Sequence, residues 1–150
     1  MSTVRRTPVV EIAWRLHRFL FRMSGGRIGA KFGVLPALML TIRGRKTGEP
    51  RSVMLNYVED AGRYIVLASH AGEDREPAWW LNLRAADEAR MQIGPRTQLV
   101  RAREAQADER ARLWQKAAQM DPAYAVYEKR TTRRIAVVVL EPQARRAAIS

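Results

Sequence analysis

A series of short extended segments separated by tight polar turns limits the fold of this chain more than any other feature. Residues 37–43 form a mostly apolar segment between a proline and a glycine, and the turn at 44–48 leads to a second segment at 51–58. Another turn, 59–62, leads to a third segment, 63–69, whose centre reads Ile-Val-Leu. Turn residues between apolar or β-branched runs are typical of hairpins. The pattern therefore predicts an antiparallel meander.

The remaining chain alternates helical and extended patterns. In order, these patterns predict a helix with Pro77 as its first residue, a hairpin, two helices and a buried closing strand: 77–86, 89–93 with 97–105, 108–120, a shorter piece after 122, and 135–140. About six antiparallel strands with helices between and beside them indicate an α+β, mainly β, fold. We expect a small barrel decorated by helices.

The N-terminal region predicts a basic amphipathic helix. Apolar side chains of residues 9–23 share one face, and Arg15, Arg18 and Arg22 occupy the other. Such a helix covers one end of the barrel or, as the alternative, lies on an anionic membrane surface. The longest uncharged stretch, 32–42, has 11 residues, whereas a spanning helix needs about 20. We expect a cytoplasmic protein, with peripheral contact at the inner face of the membrane as the alternative.

The length of the chain, 150 residues, suits one domain with one core. We predict that residues 1–34 form a tail and the amphipathic helix, that 35–142 form the barrel domain, and that 143–150 form a C-terminal tail. A second complete domain would not fit in the residues that remain.

Positive charge is concentrated near the beginning of the chain. The formal net charge is +12, and eleven of the 27 basic side chains fall in residues 1–51, against two acidic ones. Such a patch indicates an anionic partner, which can be nucleic acid, a membrane surface or a polyanionic small molecule. Aromatic side chains are not interleaved with the basic segments, as stacking on bases requires, so we expect no nucleic-acid partner.

The residue types present exclude several chemistries. The chain has no cysteine, and its two histidines, His17 and His70, are far apart in sequence, so we expect no thiol chemistry and no metal site. It has no convincing Ser/His/Asp order, no carboxylate pair in an apolar setting, and no phosphate-loop or dinucleotide fingerprint. An enzyme built on this chain would therefore depend on a bound cofactor for its chemistry.

The turn at 44–51 is the first candidate for a binding site. Its two glycines let the backbone turn sharply, so backbone amides can converge with Arg45, Lys46 and Arg51. Guanidinium groups suit phosphate or carboxylate oxygens, and Thr47 adds a hydroxyl. The alternative is a solvated hairpin turn whose charges keep an exposed edge soluble.

Aromatic pairs are the next candidates. Neighbours on a helix point about 100° apart, so Trp79 and Trp80 cannot both face the core; one can line a cleft against a flat heterocycle, or both can be half-buried packing. Tyr124 and Tyr127 share one helix face and can cap a pocket, or they can present their hydroxyls to solvent. Ser69 follows a strand, where its hydroxyl can donate to a ligand.

In this order, four motifs resemble the deazaflavin-dependent nitroreductase family. They are Gly44-Arg45-Lys46-Thr47-Gly48-Glu49-Pro50-Arg51, Ala68-Ser69, Pro77-Ala78-Trp79-Trp80-Leu81-Asn82-Leu83, and the tyrosine pair followed by Arg133-Arg134-Ile135. The resemblance extends from about Leu35 to Pro142 and excludes the N-terminal helix. It implies a split β-barrel, similar to FMN-binding folds, that binds coenzyme F-420, a deazaflavin with a phosphate and a polyglutamate tail.

Members of that family use the reduced cofactor to deliver hydride to quinones, nitroaromatics or other electron-poor acceptors. The resemblance assigns phosphate and tail contacts to Arg45, Lys46, Thr47 and Arg51, ring-side contacts to Ser69, Ala78 and Trp79, and substrate-side contacts to Tyr124 and Tyr127. The hydroxyls of Ser69 and the two tyrosines are the groups expected to take part in catalysis, by hydrogen-bonding oxygens of the ring or acceptor as charge develops.

Two alternatives stay open. FMN or FAD also combines a ring with an anionic tail and is the alternative cofactor. A non-catalytic split barrel that carries a cofactor, haem or lipid is the alternative function. In either case we expect small-molecule partners and a monomer or homodimer.

Overall fold

A computed structural model describes residues 31–32 and 35–143 of the chain. The strands are β1 (Lys31–Phe32), β2 (Leu35–Arg43), β3 (Pro50–Asn56), β4 (Val58–Asp60), β5 (Arg63–Leu67), β6 (Glu88–Ile93), β7 (Arg96–Glu104) and β8 (Val137–Pro142). The helices are α1 (Ala78–Ala86), α2 (Ala107–Met120) and α3 (Ala123–Arg130), with a single 3₁₀ turn at His70–Gly72. The predicted helix at 9–23 and all but the first residue of the predicted C-terminal tail lie outside the described residues.

The strands pair into a closed ring. β2 pairs with β3 along one edge and with β6 along the other, and the sheet continues from β6 through β7, β8 and β5 to β4. Only Tyr57 separates β3 from β4, so this pair acts as one interrupted strand that joins the two ends of the sheet. Every pairing is antiparallel. The expectation of a mainly β split barrel of about six antiparallel strands is confirmed.

The central strands bury both of their faces, which explains their continuous apolar sequences. In β8, Val138 and Leu140 belong to the cluster inside the barrel, whereas Val137 and Val139 belong to a second cluster on its outer side. This alternation follows from the two-residue period of a strand. The apolar run predicted as a buried closing strand is β8, although pairing begins at Val137 rather than at residue 135.

The helices cover the two clusters from different sides. From α1, Trp80 and Leu83 enter the barrel cluster, whereas α2 and α3 cover the outer cluster with residues that include Leu113 and Tyr124. Pro77, expected as the first helical residue, instead lies immediately before α1 with an extended ψ of 143°. In the described part of the chain, no helix has the length and apolar character needed to cross a membrane.

Candidate functional site

The turn between β2 and β3 is closed by its own backbone. The Gly44 N–H donates to the Glu49 carbonyl at 2.8 Å, and the Gly48 N–H donates to the Gly44 carbonyl at 2.8 Å. Thr47 Oγ1 accepts from the Glu49 N–H at 3.2 Å. A Cβ at position 44 would lie 3.1 Å from the Glu49 oxygen and 3.2 Å from Thr47 Oγ1, so any other residue there would push these two atoms outward by a few tenths of an ångström. The turn is therefore a defined structure rather than a loose connection.

A buried amide joins this turn to helix α1. Asn82 Oδ1 accepts from the Arg45 backbone N–H at 3.1 Å and from Arg45 Nη1 at 2.8 Å. Asn82 is only 7% exposed, so it exchanges water for these two donors. The sequence analysis missed this role of Asn82, although a single amide in an apolar Trp-Trp-Leu-Asn-Leu run was the available signal. Arg45 thus fixes the position of the turn as well as contributing charge to it.

Two cations of the turn are left without acidic partners. Lys46 and Arg51 are exposed, and no described carboxylate lies within ion-pairing distance of either. Glu49 lies between them in sequence and forms no ion pair with them. Unpaired positive charge on a rigid turn suits an anionic ligand.

The tryptophan pair is divided between the core and the surface, as expected. Trp80 is 2% exposed inside the barrel cluster, whereas Trp79 is half-buried at its margin. Their ring centroids are 6.3 Å apart and their planes are inclined at 62°, so the two rings face different surroundings. Ala78, one residue earlier, is exposed at the beginning of α1. Trp79 and Ala78 together leave an apolar surface close to the helix that holds the basic turn.

The two tyrosines of α3 pack against the outer hydrophobic cluster. Tyr124 is buried in the outer cluster and Tyr127 is half-buried against it, with ring centroids 6.2 Å apart and planes at 77°. The interpretation that this pair caps a pocket stays a prediction. Burial, with a smaller contribution from Asp121, raises the pKa of Tyr124 well above its usual value. Its phenol is therefore neutral at ordinary pH and can donate a hydrogen bond.

The segment that follows β5 is packed against the tyrosine helix. A Cβ at Gly72 would lie 3.0 Å from Arg130 Cβ and 3.1 Å from the Cα and carbonyl oxygen of Tyr127. Gly72 also has a φ of +79°, which side chains rarely tolerate. Because glycine permits this close approach, the turn that begins at Ser69 is placed against the half-buried face of Tyr127.

Arg133 also holds the segment that begins at Ser69 in place. Its Nη2 donates to the Ser69 carbonyl at 3.0 Å, and its Nε donates to the Glu73 carbonyl at 3.0 Å. Thr131 Oγ1 adds a hydrogen bond to Asp74 Oδ1 at 3.1 Å. The sequence analysis quoted Arg133 only as part of a motif.

The described candidate residues thus fall into two groups, called here the two walls. One wall is the basic turn together with α1, and the other is the Ser69 segment together with α3; the chain runs directly from the second wall into the first through residues 70–77. In residues 31–32 and 35–143, no group of three or more His, Asp or Glu side chains is placed to hold a metal ion. The two groups offer cations without acidic partners among the described residues, aromatic surface and hydroxyl donors.

This arrangement has counterparts among known proteins. The family model described as F420H(2)-dependent quinone reductase matches residues 13–142. An F420H(2)-dependent quinone reductase of Mycobacterium tuberculosis (strain ATCC 25618 / H37Rv) is 38% identical over 130 residues, which cover 84% of this chain and 87% of that protein.

Solved structures agree with this match. A domain-swapped dimer superposes with a TM-score of 0.70 at 30% identity and covers 90% of this chain and 100% of its own. An F420-H2 dependent reductase, FDR-A, superposes with a TM-score of 0.65 at 34% identity and covers 71% of this chain and 94% of its own. The resemblance noted from the motifs is confirmed: the chain belongs to the F420H(2)-dependent quinone reductase family.

Proposed function

We propose that this protein binds coenzyme F-420 and reduces a quinone at the two walls described above. The observation that carries the proposal is the pair of unpaired cations, Lys46 and Arg51, on a turn that Asn82 fixes to the tryptophan helix. When bound, the reduced deazaflavin would supply a hydride, and one proton from water would complete the two-electron reduction of the quinone to a hydroquinone, in which both carbonyl oxygens have become hydroxyls. Nitroaromatics are the second class of acceptor.

The basic turn supplies the binding energy for the anionic end of the cofactor. Lys46 and Arg51 neutralise phosphate and carboxylate oxygens, and the Thr47 hydroxyl retains a proton to donate because its oxygen serves as an acceptor within the turn. Arg45 has a different part, since its guanidinium donates to Asn82. It aligns the turn with α1 and adds to the local positive potential.

The margin of α1 receives the ring of the cofactor. Trp79 offers an aromatic face that is only partly covered, and Ala78 is small enough to let a flat heterocycle approach the helix. Ser69 lies on the other wall, held by its carbonyl, so its hydroxyl is free to donate to an oxygen of the ring or of the acceptor.

The tyrosine helix contacts the acceptor. The hydroxyls of Tyr124 and Tyr127 donate hydrogen bonds to an acceptor oxygen and stabilise it as it gains electron density. The low polarity around Tyr124 strengthens such a hydrogen bond, because less water competes for it. The side chains of this protein therefore orient the acceptor and polarise its oxygen, and the cofactor contributes the reducing equivalents.

We further propose that the protein forms a homodimer, an assembly supported by the domain-swapped dimer to which it is similar. Contact of residues 9–23 with a membrane surface concerns a segment outside the described residues and stays a prediction. Size-exclusion chromatography with light scattering tests the dimer, and flotation with anionic vesicles tests the membrane contact.

A fluorescence titration tests cofactor binding. We expect coenzyme F-420 to bind saturably and more tightly than FMN or FAD, and Lys46→Ala with Arg51→Ala to weaken its binding about 10-fold or more. The matched control removes two exposed arginines from the β6–β7 hairpin, Arg96→Ala with Arg101→Ala. Equal affinity in the two double variants would remove the assignment of the basic turn, and flavin binding as tight as deazaflavin binding would overturn the choice of cofactor.

A turnover assay separates an enzyme from a carrier. The reduced cofactor is mixed with menadione or a nitroaromatic, and oxidation is followed by absorbance. We expect turnover that Tyr127→Phe lowers several-fold while the affinity for the cofactor changes little, since the phenol contacts the acceptor. No oxidation above background with any acceptor would favour a carrier.

A further inference from the structure

A cavity of about 380 Å³ lies between α2 and the chain that follows α3. It is bounded by α2, by the end of α3 and by residues 131–135, and it is lined mainly by polar side chains. None of the residues assigned above to the cofactor or the acceptor lines it. Its volume falls within the range of pockets that bind small molecules.

Arginines dominate the lining of this cavity, and one of them is held rigidly. Arg110 Nη2 donates to the Ile135 carbonyl at 2.7 Å, and its guanidinium carbon lies 5.4 Å from the centre of the Trp114 ring. These two contacts fix the plane of the guanidinium, as stacking on an aromatic ring commonly does for arginine. A fixed guanidinium is well suited to recognise a planar or tetrahedral oxyanion.

Two guanidinium nitrogens in this lining are buried and lack acceptors. Arg110 Nε and Arg133 Nη1 have no hydrogen-bond partner among the described residues. A buried donor without an acceptor costs about 1–3 kcal/mol, and it is more costly on a charged group. Both atoms are themselves covered by protein, so they are not contact points for a ligand; they show that positive charge beside this cavity is incompletely satisfied by the described residues.

The balance of charge also favours an anion. Arg110, Arg133 and Arg134 line the cavity against a single carboxylate, Glu128. Burial, followed by the positive charge of Arg134, lowers the pKa of Arg110, and burial lowers that of Arg133. In both cases burial outweighs the nearby carboxylates, which are Glu128 and Glu104 for Arg110 and Glu76, Asp74 and Glu73 for Arg133.

We infer that this cavity binds the phosphate or carboxylate group of a small molecule, at a site separate from that of the cofactor. The threonines at 131 and 132 add hydroxyl donors to the three guanidinium groups. The inference uses none of the residues assigned to the cofactor or the acceptor, although Glu128 lies on α3 and Arg133 also holds the Ser69 segment.

The test uses the full chain with Lys46→Ala and Arg51→Ala, so that the basic turn does not contribute to anion binding. Inorganic phosphate, succinate and chloride are titrated at equal ionic strength, and the indole N–H signal of Trp114 is followed by NMR after assignment with Trp114→Phe. We expect a saturable shift with phosphate, with succinate, or with both, and none with chloride. Saturation with phosphate alone or succinate alone identifies the group; absence of saturation with both, or an equal response to chloride, overturns the inference.

Two variants that should change anion affinity in opposite directions locate the site. Arg134 is exposed, so Arg134→Ala should fold normally and weaken binding at least 3-fold, whereas Glu128→Gln removes the repelling carboxylate and should tighten binding at least 2-fold. Arg96→Ala is the matched control and should leave affinity unchanged. Equal affinity in all of these variants would overturn the inference. Equal responses of Arg134→Ala and Arg96→Ala would do the same.

Discussion

Two basic regions of this molecule use their charge in opposite ways. The first, called here the Asp60 network, consists of Asp60 with Arg63, Arg112 and Lys116; the cations lie 2.9, 2.9 and 3.1 Å from the carboxylate. Its carboxyl group is buried, and these hydrogen bonds hold its pKa far below the usual range. The second region is the basic turn, where Lys46 and Arg51 have no described acidic partner.

The Asp60 network continues outward through a second carboxylate. Glu109 accepts from Arg63 at 3.2 Å and from Arg103, which also donates to Glu141 at 2.6 Å. Positive charge there is paired and serves to join β4, β5 and β7 to α2. The comparison teaches that a net charge of +12 does not identify a binding surface by itself; the location of cations without partners does.

The largest expected effect comes from breaking the paired region. Asp60→Asn keeps the shape of the side chain but leaves three cations facing a neutral amide, so we expect a loss of about 2 kcal/mol in the free energy of unfolding. Because the chain has 150 residues, the melting temperature should fall by about 5 °C. Differential scanning calorimetry measures the melting temperature.

Affinity for the cofactor supplies the other half of that comparison. Asp60→Asn should leave the affinity of the folded protein for coenzyme F-420 within 2-fold of wild type, whereas Lys46→Ala with Arg51→Ala should weaken affinity and leave the melting temperature almost unchanged. A loss of affinity in Asp60→Asn of the size expected for the turn variant would contradict the division between the two regions.

Arg133 tests a third use of charge, because its partners are main-chain carbonyls rather than carboxylates. Arg133→Lys keeps the charge but removes the fork that reaches Ser69 and Glu73, so the Ser69 segment should lose its position. We expect kcat for quinone reduction to fall about 10-fold, equivalent to about 1.4 kcal/mol, with the dissociation constant for the cofactor changed less than 2-fold.

Steady-state kinetics well below the melting temperature, together with a cofactor titration, distinguish positioning from general damage. Arg134→Lys is the matched control, since the neighbouring residue is exposed. Equal falls in turnover and cofactor affinity in Arg133→Lys would assign this arginine to stability alone.

The concentration of salt should have a smaller effect on cofactor affinity, and this effect should distinguish exposed charges from buried ones. Between about 0.05 and 0.5 M sodium chloride, screening should weaken cofactor binding by wild type about 5-fold, because Lys46 and Arg51 are open to solvent. The variant without these two charges should show a flatter dependence, and the Asp60 network should respond less because its carboxylate is buried. Parallel salt slopes in wild type and variant would show that other charges dominate binding.

Local pattern was enough to predict most of the fold. Apolar runs and turn residues located six of the described strands to within two or three residues, because two-sided burial demands continuous apolar sequence, as in β8. The short strands β1 and β4 were not predicted, and β4 includes two residues of the expected turn at 59–62. The closure of the ring depends on Tyr57, where one strand changes partners, and no local signal marks such a change. The beginning of α1 was displaced by one residue because Pro77 serves equally well just before a helix.

The candidate site was predicted in composition but not in its connections. The division of Trp79 from Trp80 followed from helix geometry, which fixes the angle between neighbours. The bond of Asn82 to Arg45 and that of Arg133 to Ser69 span 37 and 64 residues, and such pairs are set by tertiary packing alone. For the same reason the burial of Tyr124, which depends on α2 and the outer face of the sheet, was beyond the reach of helical periodicity.

The smallest expected effect is a loss of stability at low pH, to which Glu109 of the paired region contributes. Its hydrogen bonds with Arg103, and secondarily with Arg63, lower its pKa from 4.5 to about 2. The folded pKa lies below the unfolded one, so the stability that Glu109 contributes is complete above pH 4.5 and is lost as the pH falls towards 2. The contribution should stay under about 1 kcal/mol, because water screens a partly exposed pair.

Urea denaturation at a series of pH values between 7 and 2.5 measures this contribution as the difference between wild type and Glu109→Gln. That difference should be constant above about pH 5 and shrink as the medium becomes more acid, since Asp60 affects both proteins alike. Glu88→Gln is the matched control, because Glu88 lies 3.8 Å from Arg101 and 59% of its side chain is exposed. The difference in free energy of unfolding between wild type and Glu109→Gln could instead be as independent of pH as the difference for Glu88→Gln. That result would place Glu109 among the solvated charges and confine the paired region to Asp60.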